Sequence, residues 1–396
     1  MTSISAQRNR FGRRAIGTVM TAVSSTVLIG FVALAVDMGM LYNVRVELQR
    51  SADAGALAGG WNLLGDERLQ GSAGLTTVFN ETRTNAVNLA ERNQVFGSNP
   101  DVDPNAANAP SGDVVLGYLS NPDDLSESLC TDVGPSSFNA VSVLVRRDSV
   151  RNGPIPLLFA QLIGFGSRPV TARGVAAIKD GAVVGYKVTP QSGNADLLPL
   201  ALHINSWNGL IAGTTTNGDN FAYNPDTGVV SAGSDGVLEL NIYPGAGSGQ
   251  LPPGNFGTVD IGNPNNSTAD LSRQIRYGVN AADLAYLGGE VKFGPDGVLP
   301  LNGDTGLSAG IKDDLAAIIG KPRAIPVFNQ VAGPGNNAVY SVIRFAGIRI
   351  MDVKLTGPMS GKRVIVQPAV VVDDAAIAQN GADKSTYVYQ PPRLVR

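Results

Sequence analysis

The chain is poor in the side chains that carry most enzymatic and metal chemistry. Its 396 residues include one cysteine, Cys130, and one histidine, His203. A single cysteine excludes an internal disulfide and a thiolate zinc cluster, and a single histidine removes most histidine-based metal and acid/base sites. We therefore expect neither a cofactor nor a resident metal ion.

Charged residues are also scarce, and neither sign dominates. They make up 16% of the chain, and 30 basic residues stand against 33 acidic ones. This balance offers no broad cationic surface for a phosphate backbone, so nucleic acid is not an expected partner. Aromatic residues reach only 6%, whereas glycine (48) and proline (24) are abundant, which indicates many turns and short strands.

One long apolar segment lies near the N-terminus, and its 22 residues from Ala15 to Val36 include no charge. At about 1.5 Å per residue, a helix of this length would cross a hydrocarbon core of roughly 30 Å. A signal peptide has a shorter apolar region, and this segment passes directly into an amphipathic helical pattern. A retained membrane anchor is therefore favoured, with a cleavable signal as the alternative.

The charges that flank this segment predict its orientation. Basic residues precede it and Asp37 follows it, so the positive-inside rule keeps the short N-terminal tail in the cytoplasm and places the rest of the chain outside. The basic residues are Arg8, Arg10, Arg13 and Arg14.

Small residues recur every fourth position within the helical pattern, which continues to Gly59-Gly60. Such a stripe lets another helix approach closely, so it predicts packing against a partner or self-association through the N-terminal helix. The alternative is that small residues are simply common in membrane helices. The stripe consists of Thr18, Ala22, Thr26 and Gly30, then Ser51, Gly55 and Gly59.

A second pattern covers the stretch from Asp37 to Gly59. It has an Asp at the end of the apolar segment, a Tyr five residues later, a Leu-Gln pair and an Ala-Asp-Ala-Gly-Ala-Leu-Ala-Gly run. This pattern resembles the N-terminal region of the TadE/TadG-like proteins of tight-adherence (Flp) pilus assembly, and TadG most of all. The matching residues are Asp37, Tyr42, Leu48, Gln49, Ala52, Asp53, Ala54, Ala56, Leu57 and Ala58, with Gly55 where alanine is commoner.

The resemblance implies a non-enzymatic, membrane-anchored component of Flp pilus assembly in the bacterial inner membrane. Its partners would be the lipid bilayer and other pilus-assembly or secretion components. Prepilins are cut after a glycine and carry a Glu at the fifth position of the mature chain. Here Gly12 is followed at that distance by Gly17, so the resemblance favours an uncut component. The similarity continues more loosely over residues 114–178.

The remaining patterns predict an α+β fold. An Ala-rich helical pattern covers residues 66–94, and β-branched runs follow between 114 and 188. From 189 onward, short strands alternate with Gly/Pro/Asn loops. We expect a cytoplasmic tail (1–14), a transmembrane helix (15–36) that continues into an extracytoplasmic stalk helix (37–62), an α+β domain (63–188) and a β-rich domain (189–396).

Two other functions stay open. A surface adhesin or carbohydrate-binding module would use loop aromatics for sugar stacking. The candidates are Trp207, Phe221, Tyr223 and Tyr243. A membrane-tethered hydrolase would have to pair Cys130 with His203, and neither lies in a nucleophile motif.

Two patterns have features of cation-binding sites, but a turn is the favoured interpretation of each. Asp124-Leu-Ser126-Glu-Ser128 has the spacing of a Mg²⁺ site, yet it follows a turn rather than a buried strand. Several Gly-rich loops carry acidic residues without the EF-hand pattern, so Asp-Gly turn chemistry is the favoured interpretation. These residues are Asp219, Asp226, Asp235, Asp296 and Asp304.

Overall fold

The computed structural model describes residues 4–179, 181–243, 257–263, 267–304, 307, 309–333 and 338–395. The side chains of residues 4–16, 304 and 359 lie outside the description, and these include the four arginines of the predicted orientation signal. The chain divides into two compact units. The first comprises Met1–Ala56, Asn85–Val115 and Ser142–Val175, and the second Leu57–Thr84, Leu116–Val141 and Ala176–Arg396.

The longest element is one uninterrupted helix, α1, over Ile4–Asn62. No proline interrupts it, and the predicted membrane and stalk segments are continuous. Its side chains from Gly17 to Val36 are not buried, whereas a stripe at every fourth residue from Val44 is buried. This stripe, Val44, Leu48, Ala52 and Ala56, is the face on which the first unit packs.

The predicted second helix begins at a glycine. A 3-10 turn covers Asp66–Gln70, and α2 then runs over Gly71–Arg92. Three of the four shorter helices of the described residues begin with a side-chain cap; the Ser267 hydroxyl, for example, accepts from the Asp270 N–H at the start of Thr268–Tyr277. The four are α3 (Ile204–Ile211), α4 (Thr268–Tyr277), α5 (Ala281–Ala285) and α6 (Lys312–Ala316).

A four-stranded sheet and a hairpin follow α2. The sheet has the order β1-β2-β5-β21, with bounds Val114–Gly117, Ala140–Arg147, Val170–Ala177 and Arg393–Leu394. The hairpin pairs β3 (Ile155–Pro156) with β4 (Ser167–Arg168) and encloses residues 157–166. The β-branched runs predicted after residue 114 therefore form strands.

The second unit is dominated by an eight-stranded sheet. Its order is β10-β16-β15-β13-β11-β7-β14, and β14 also pairs with β15, so five strands from β15 to β14 form a closed ring. β19 pairs with β15 off this path. The bounds are β7 Leu200–His203, β10 Leu240–Asn241, β11 Gly257–Val259, β13 Leu299–Asp304, β14 Pro322–Ala332, β15 Ala338–Lys354, β16 Arg363–Pro368 and β19 Ser385–Thr386.

Aromatic side chains fill the core beside this sheet. Phe328 of β14 and Tyr340 of β15 meet edge to face at 4.8 Å between centroids, and Phe345 meets Tyr186 in the same way at 5.1 Å. Smaller pairings complete the unit. They join β6 (Val183–Tyr186) to β12 (Val291–Lys292) and β18 (Ala376–Ala378), β8 (Phe221–Asn224) to β9 (Val229–Ala232), and β17 (Val371–Val372) to β20 (Val388–Tyr389).

The predicted fold class is confirmed. The chain has a long N-terminal apolar helix, a few further helices and a β-rich C-terminal region. One detail differs from the short strands expected beyond residue 189, because β14 and β15 are long strands of 11 and 17 residues. The domain boundaries at 62/63 and 188/189 stay predictions.

Candidate functional site

Asp37 is the first buried side chain along the described part of α1, with 2% of its surface exposed. Its carboxylate accepts three backbone hydrogen bonds, from the N–H groups of Leu158 (2.8 Å), Phe159 (3.1 Å) and Ala160 (2.7 Å). These groups lead into the 3-10 turn Ala160–Ile163, and the first N–H groups of such a turn have no acceptor within it. A residue distant in sequence therefore caps this turn.

The three donors also set the charge state of Asp37. Burial opposes ionisation of the carboxyl, but the backbone N–H groups of Ala160, Leu158 and Phe159 outweigh it and lower the pKa of Asp37 below its ordinary value. The side chain is therefore a carboxylate at neutral pH. An ionised acceptor makes stronger hydrogen bonds than a neutral one, so the charge holds the turn to α1.

The segment that Asp37 holds is the apolar loop, which we define as residues 157–166. The loop has its own backbone bonds, from Leu157 N–H to Gly166 O (3.0 Å) and from Phe165 N–H to Ala160 O (3.0 Å). Gly164 closes the 3-10 turn in the left-handed region, with φ 95°. Most of the large apolar side chains in the loop are exposed, although Leu157 is buried.

Further along α1, small residues of the motif let α2 pack closely. The Ser51 hydroxyl donates to the Ala90 carbonyl at 2.8 Å, and a Cβ on Gly55 would lie 2.7 Å from the Ala86 carbonyl oxygen. The second distance is too short for a real Cβ, so only glycine fits at residue 55. For Ser51 and Gly55, the neighbour on the small-residue stripe is thus α2 of the same chain.

The polar residues of the motif face β5. Gln49 Nε2 donates to Asp53 Oδ1 (2.8 Å) and to the Arg173 carbonyl (3.0 Å). A Cβ on Gly174 would come within 2.8 Å of the Ala52 carbonyl oxygen and 2.7 Å of Asp53 Oδ1. The Leu-Gln and Ala-Asp-Ala parts of the motif are therefore packing positions, where α1 and a strand approach backbone to backbone.

Other predicted residues lie away from these contacts. Thr18, Ala22, Thr26 and Gly30 are exposed along the apolar part of α1, as is Tyr42, and Thr26 Oγ1 donates to the Ala22 carbonyl at 2.9 Å. Gly59, Leu57 and Ala58 fall in or at the edge of the second unit, and Gly59 is buried.

Sequence reasoning missed the contact of Asp37 with the apolar loop. The feature of the sequence that could have indicated this loop is the uncharged stretch between Arg151 and Arg168.

Comparison with known families finds two matches in the N-terminal half of the chain. Residues 17–62 match the family model for TadE/G-like proteins of Flp pilus assembly, and residues 58–176 match the model for Tad-like Flp pilus-assembly proteins. Together, these matches make residues 17–176 similar to proteins of Flp pilus assembly. The predicted resemblance is confirmed at this level, and the first model covers TadE-like and TadG-like proteins together.

The Tad-like domains support a role in Flp pilus assembly and interaction with other pilus components. By length and composition, Gly17–Asn62 could cross a membrane, which fits a membrane-anchored protein. No curated protein matches the chain at the threshold of the comparison. No solved structure matches it either.

The aromatics proposed for sugar stacking are largely covered in the structure. Trp207 and Tyr243 are buried, and the guanidinium carbon of Arg349 lies 3.4 Å from the centre of the Tyr223 ring. Phe221 is half-buried in β8. Most of these rings serve the interior or bind a cation of the chain itself, so they offer little surface to a sugar.

The residues of the hydrolase alternative have separate structural roles. His203 Nδ1 accepts from the Asn205 N–H at 3.2 Å and so caps α3, and burial lowers the pKa of His203. Cys130 exchanges backbone hydrogen bonds with Tyr118. The Tad-like domains suggest a structural, non-catalytic component.

Among the acidic loop residues, Asp124 and Asp296 make local turns, and Asp219 binds a more distant part of the chain. Asp124 Oδ1 accepts from both the N–H (2.8 Å) and the hydroxyl (2.7 Å) of Ser126, and Asp296 Oδ1 accepts from the Val298 N–H at 3.1 Å. Asp219 binds the Ser234 hydroxyl and the Gly236 N–H. Within the described residues, no group of three or more His, Cys, Asp or Glu is arranged to hold a metal ion. The Asp304 side chain lies outside the description.

Proposed function

We propose that this chain is a TadG-like, non-enzymatic component of Flp pilus assembly, anchored in the bacterial inner membrane by α1. The N-terminal tail lies in the cytoplasm, and the bulk of the chain lies in the periplasm or at the cell surface. The observation that carries the proposal is the pair of adjoining Tad-like matches over residues 17–62 and 58–176.

Membrane anchoring is supported by the contrast within α1. Its described side chains from Gly17 to Val36 are mostly apolar and none is buried, while the buried face begins at Asp37. Exposed apolar side chains over such a length are unfavourable in water and favourable in a bilayer. The proposed span is 15–36, the stalk is 37–62, and the domains beyond it are 63–188 and 189–396.

The small residues within the proposed membrane span form the surface through which we propose that α1 self-associates. Thr18, Ala22, Thr26 and Gly30 are uncovered in the structure, and a Cβ on Gly30 would meet no atom within 4 Å. Small residues allow helix backbones to approach closely in lipid. We therefore assign partner packing to this part of the stripe.

Gene deletion tests the assembly role. A bacterium that makes Flp pili and lacks only this chain should lose surface filaments, measured by electron microscopy and by pilin in the sheared fraction. Plasmid-borne wild-type protein should restore them. Normal filament numbers in the deletion strain would refute the proposal.

A reporter fusion tests the orientation independently. Alkaline phosphatase, which is active only outside the cytoplasm, should be active when it is fused after residue 60. A β-galactosidase fusion at the same position should be inactive. The reverse pattern would refute the proposed topology and leave the assembly role standing.

A further inference from the structure

The apolar loop exposes large apolar side chains and carries no charge. Leu162 is 81% exposed, Ile163 74% and Phe165 59%, and Leu158 and Phe159 are also exposed. The nearest charged residues in sequence are Arg151 and Arg168. Contiguous exposed apolar surface of this kind marks an interaction site on a folded protein.

Asp37 fixes where this loop lies along α1. Its carboxylate binds three consecutive N–H groups of the loop, and it is the residue directly after the apolar span. None of the described side chains before it is buried. The apolar loop is thus the part of the first unit that contacts α1 where the uncovered span ends.

We propose that the apolar loop inserts Leu162, Ile163 and Phe165 into the bilayer that α1 crosses, in the leaflet on the Asp37 side. This inference rests on the proposed membrane anchoring by α1. The loop would be a second, shallow attachment, comparable to the apolar face of an interfacial helix. With two attachments, the first unit would be held at one height and one rotation about the axis of α1.

Lipid is the occupant that the surroundings favour. The loop joins an apolar surface that α1 already presents from Gly17 to Val36, so the two would form one continuous region in contact with lipid. Arg168 ends the hairpin and is exposed, as a residue that meets phosphate head groups should be. The Asp37 carboxylate is buried, where it accepts hydrogen bonds from the loop, so its charge does not face the lipid.

Depth-dependent fluorescence quenching in the full-length protein tests this inference. In a Cys130→Ser background, single cysteines replace Leu162, Val27 or Asp132 and carry an environment-sensitive fluorophore. Val27 reports the span, and Asp132 is an exposed loop position. The protein is reconstituted into phosphatidylcholine and phosphatidylglycerol vesicles with spin labels placed near the head group or in the middle of the acyl chain.

We expect the shallow spin label to quench the fluorophore at 162 at least about threefold more strongly than at 132. At residue 27, the deep label should quench most. Quenching at 27 with none at 162 would overturn the inference and leave membrane anchoring intact, whereas no quenching at 27 would contradict the anchoring itself. A blue-shifted but unquenched signal at 162 would also overturn the inference, because a protein would then cover the loop.

Discussion

At the scale of single residues, Asp37 has a role that its position in sequence only half reveals. The sequence marked it as the charge that closes the apolar segment and as the first residue of the Tad-like motif. The structure adds that its carboxylate is buried and caps a turn more than 120 positions away. Periodicity and motif spacing describe neighbours along a chain, so they cannot reveal such a partner.

Asp37→Asn should loosen the apolar loop. The amide keeps one acceptor oxygen and loses the charge, so three donors lose a strong shared acceptor. Hydrogen exchange of the Leu158, Phe159 and Ala160 amides should accelerate by roughly tenfold or more. The control is Asp148→Asn, which removes a carboxylate that caps the Val150 and Arg151 N–H groups in the same unit. Equal exchange at the loop in both variants would contradict the capping role.

The pH dependence of this attachment follows from the direction of the pKa. The pKa of Asp37 is lowered in the folded state, so its contribution is present above the unfolded value of about 3.9 and is lost as pH falls through the lower folded value. After correction for intrinsic rates, the three amides should stay protected at pH 5 and lose protection only below about pH 4. Loss of protection near pH 6 would contradict this sign.

The contribution of Asp373 to stability should depend on pH with the opposite sign to that of Asp37. Burial raises its pKa to about 6, although its carboxylate accepts from the Asp196 N–H (2.6 Å) and the Ala375 N–H (2.8 Å). An acid whose folded pKa is raised favours folding at low pH and loses that contribution as pH rises from about 4 to about 6, here by about 3 kcal/mol.

Tryptophan fluorescence measures this effect, because Trp61 and Trp207 both belong to the second unit. In detergent, the urea midpoint of the wild type should be higher at pH 5 than at pH 7. Asp373→Asn should remove most of the difference, and an unchanged pH dependence in the variant would assign it to other groups.

At the scale of elements, α1 and the main strands could be predicted, whereas β14 could not. An uninterrupted pattern without proline predicted the long helix, and the β-branched runs between 114 and 188 predicted strands in the region that holds β1, β2 and β5. β14 contains Pro322 and Pro326, which by sequence rules argue against a strand. Pro326 lies opposite Phe345 in the pairing of β14 with β15. The Phe345 N–H donates to the Lys384 carbonyl and not to β14, so the two residues do not exchange ladder hydrogen bonds. The missing N–H of Pro326 is therefore tolerated at this pair.

The packing of α1 on α2 gives a matched test with two glycines of one helix. A Cβ on Gly55 would lie 2.7 Å from the Ala86 carbonyl oxygen, whereas one on Gly39 would meet nothing within 4 Å. Gly55→Ala should therefore destabilise the first unit by roughly 1–3 kcal/mol. Gly39→Ala should be neutral or stabilising by up to about 1 kcal/mol, because alanine favours helix.

Thermal unfolding in detergent compares the two variants, with the loss of helix monitored by circular dichroism. The melting temperature of Gly55→Ala should fall, and that of Gly39→Ala should not. If the two variants melt alike, the close approach of α1 and α2 does not control the stability of this unit.

At the scale of the whole molecule, the second unit depends on contacts between residues far apart in sequence. Asp66 lies just after α1, and its carboxylate accepts from Arg349 Nη2 (2.5 Å), 283 positions away, and from the Val370 N–H (2.9 Å). Arg349 Nε also donates to the Gly320 carbonyl at 2.9 Å. The Tad-like matches end at residue 176, so neither motif nor pattern could pair Asp66 with a strand beyond that point.

Arg349→Ala should be among the most damaging substitutions in the second unit. The arginine is 3% exposed, and its loss would remove the ion-pair partner of Asp66 and the side-chain donor to the Gly320 carbonyl, at a cost of roughly 3–5 kcal/mol. The control lies on the same strand: Arg344 pairs with the exposed Asp383, and such a surface pair contributes about 1 kcal/mol or less. Urea unfolding followed by tryptophan fluorescence should separate Arg349→Ala from Arg344→Ala by at least about 2 kcal/mol. Equal midpoints would mean that the Asp66–Arg349 contact does not hold the segment after α1 to the sheet.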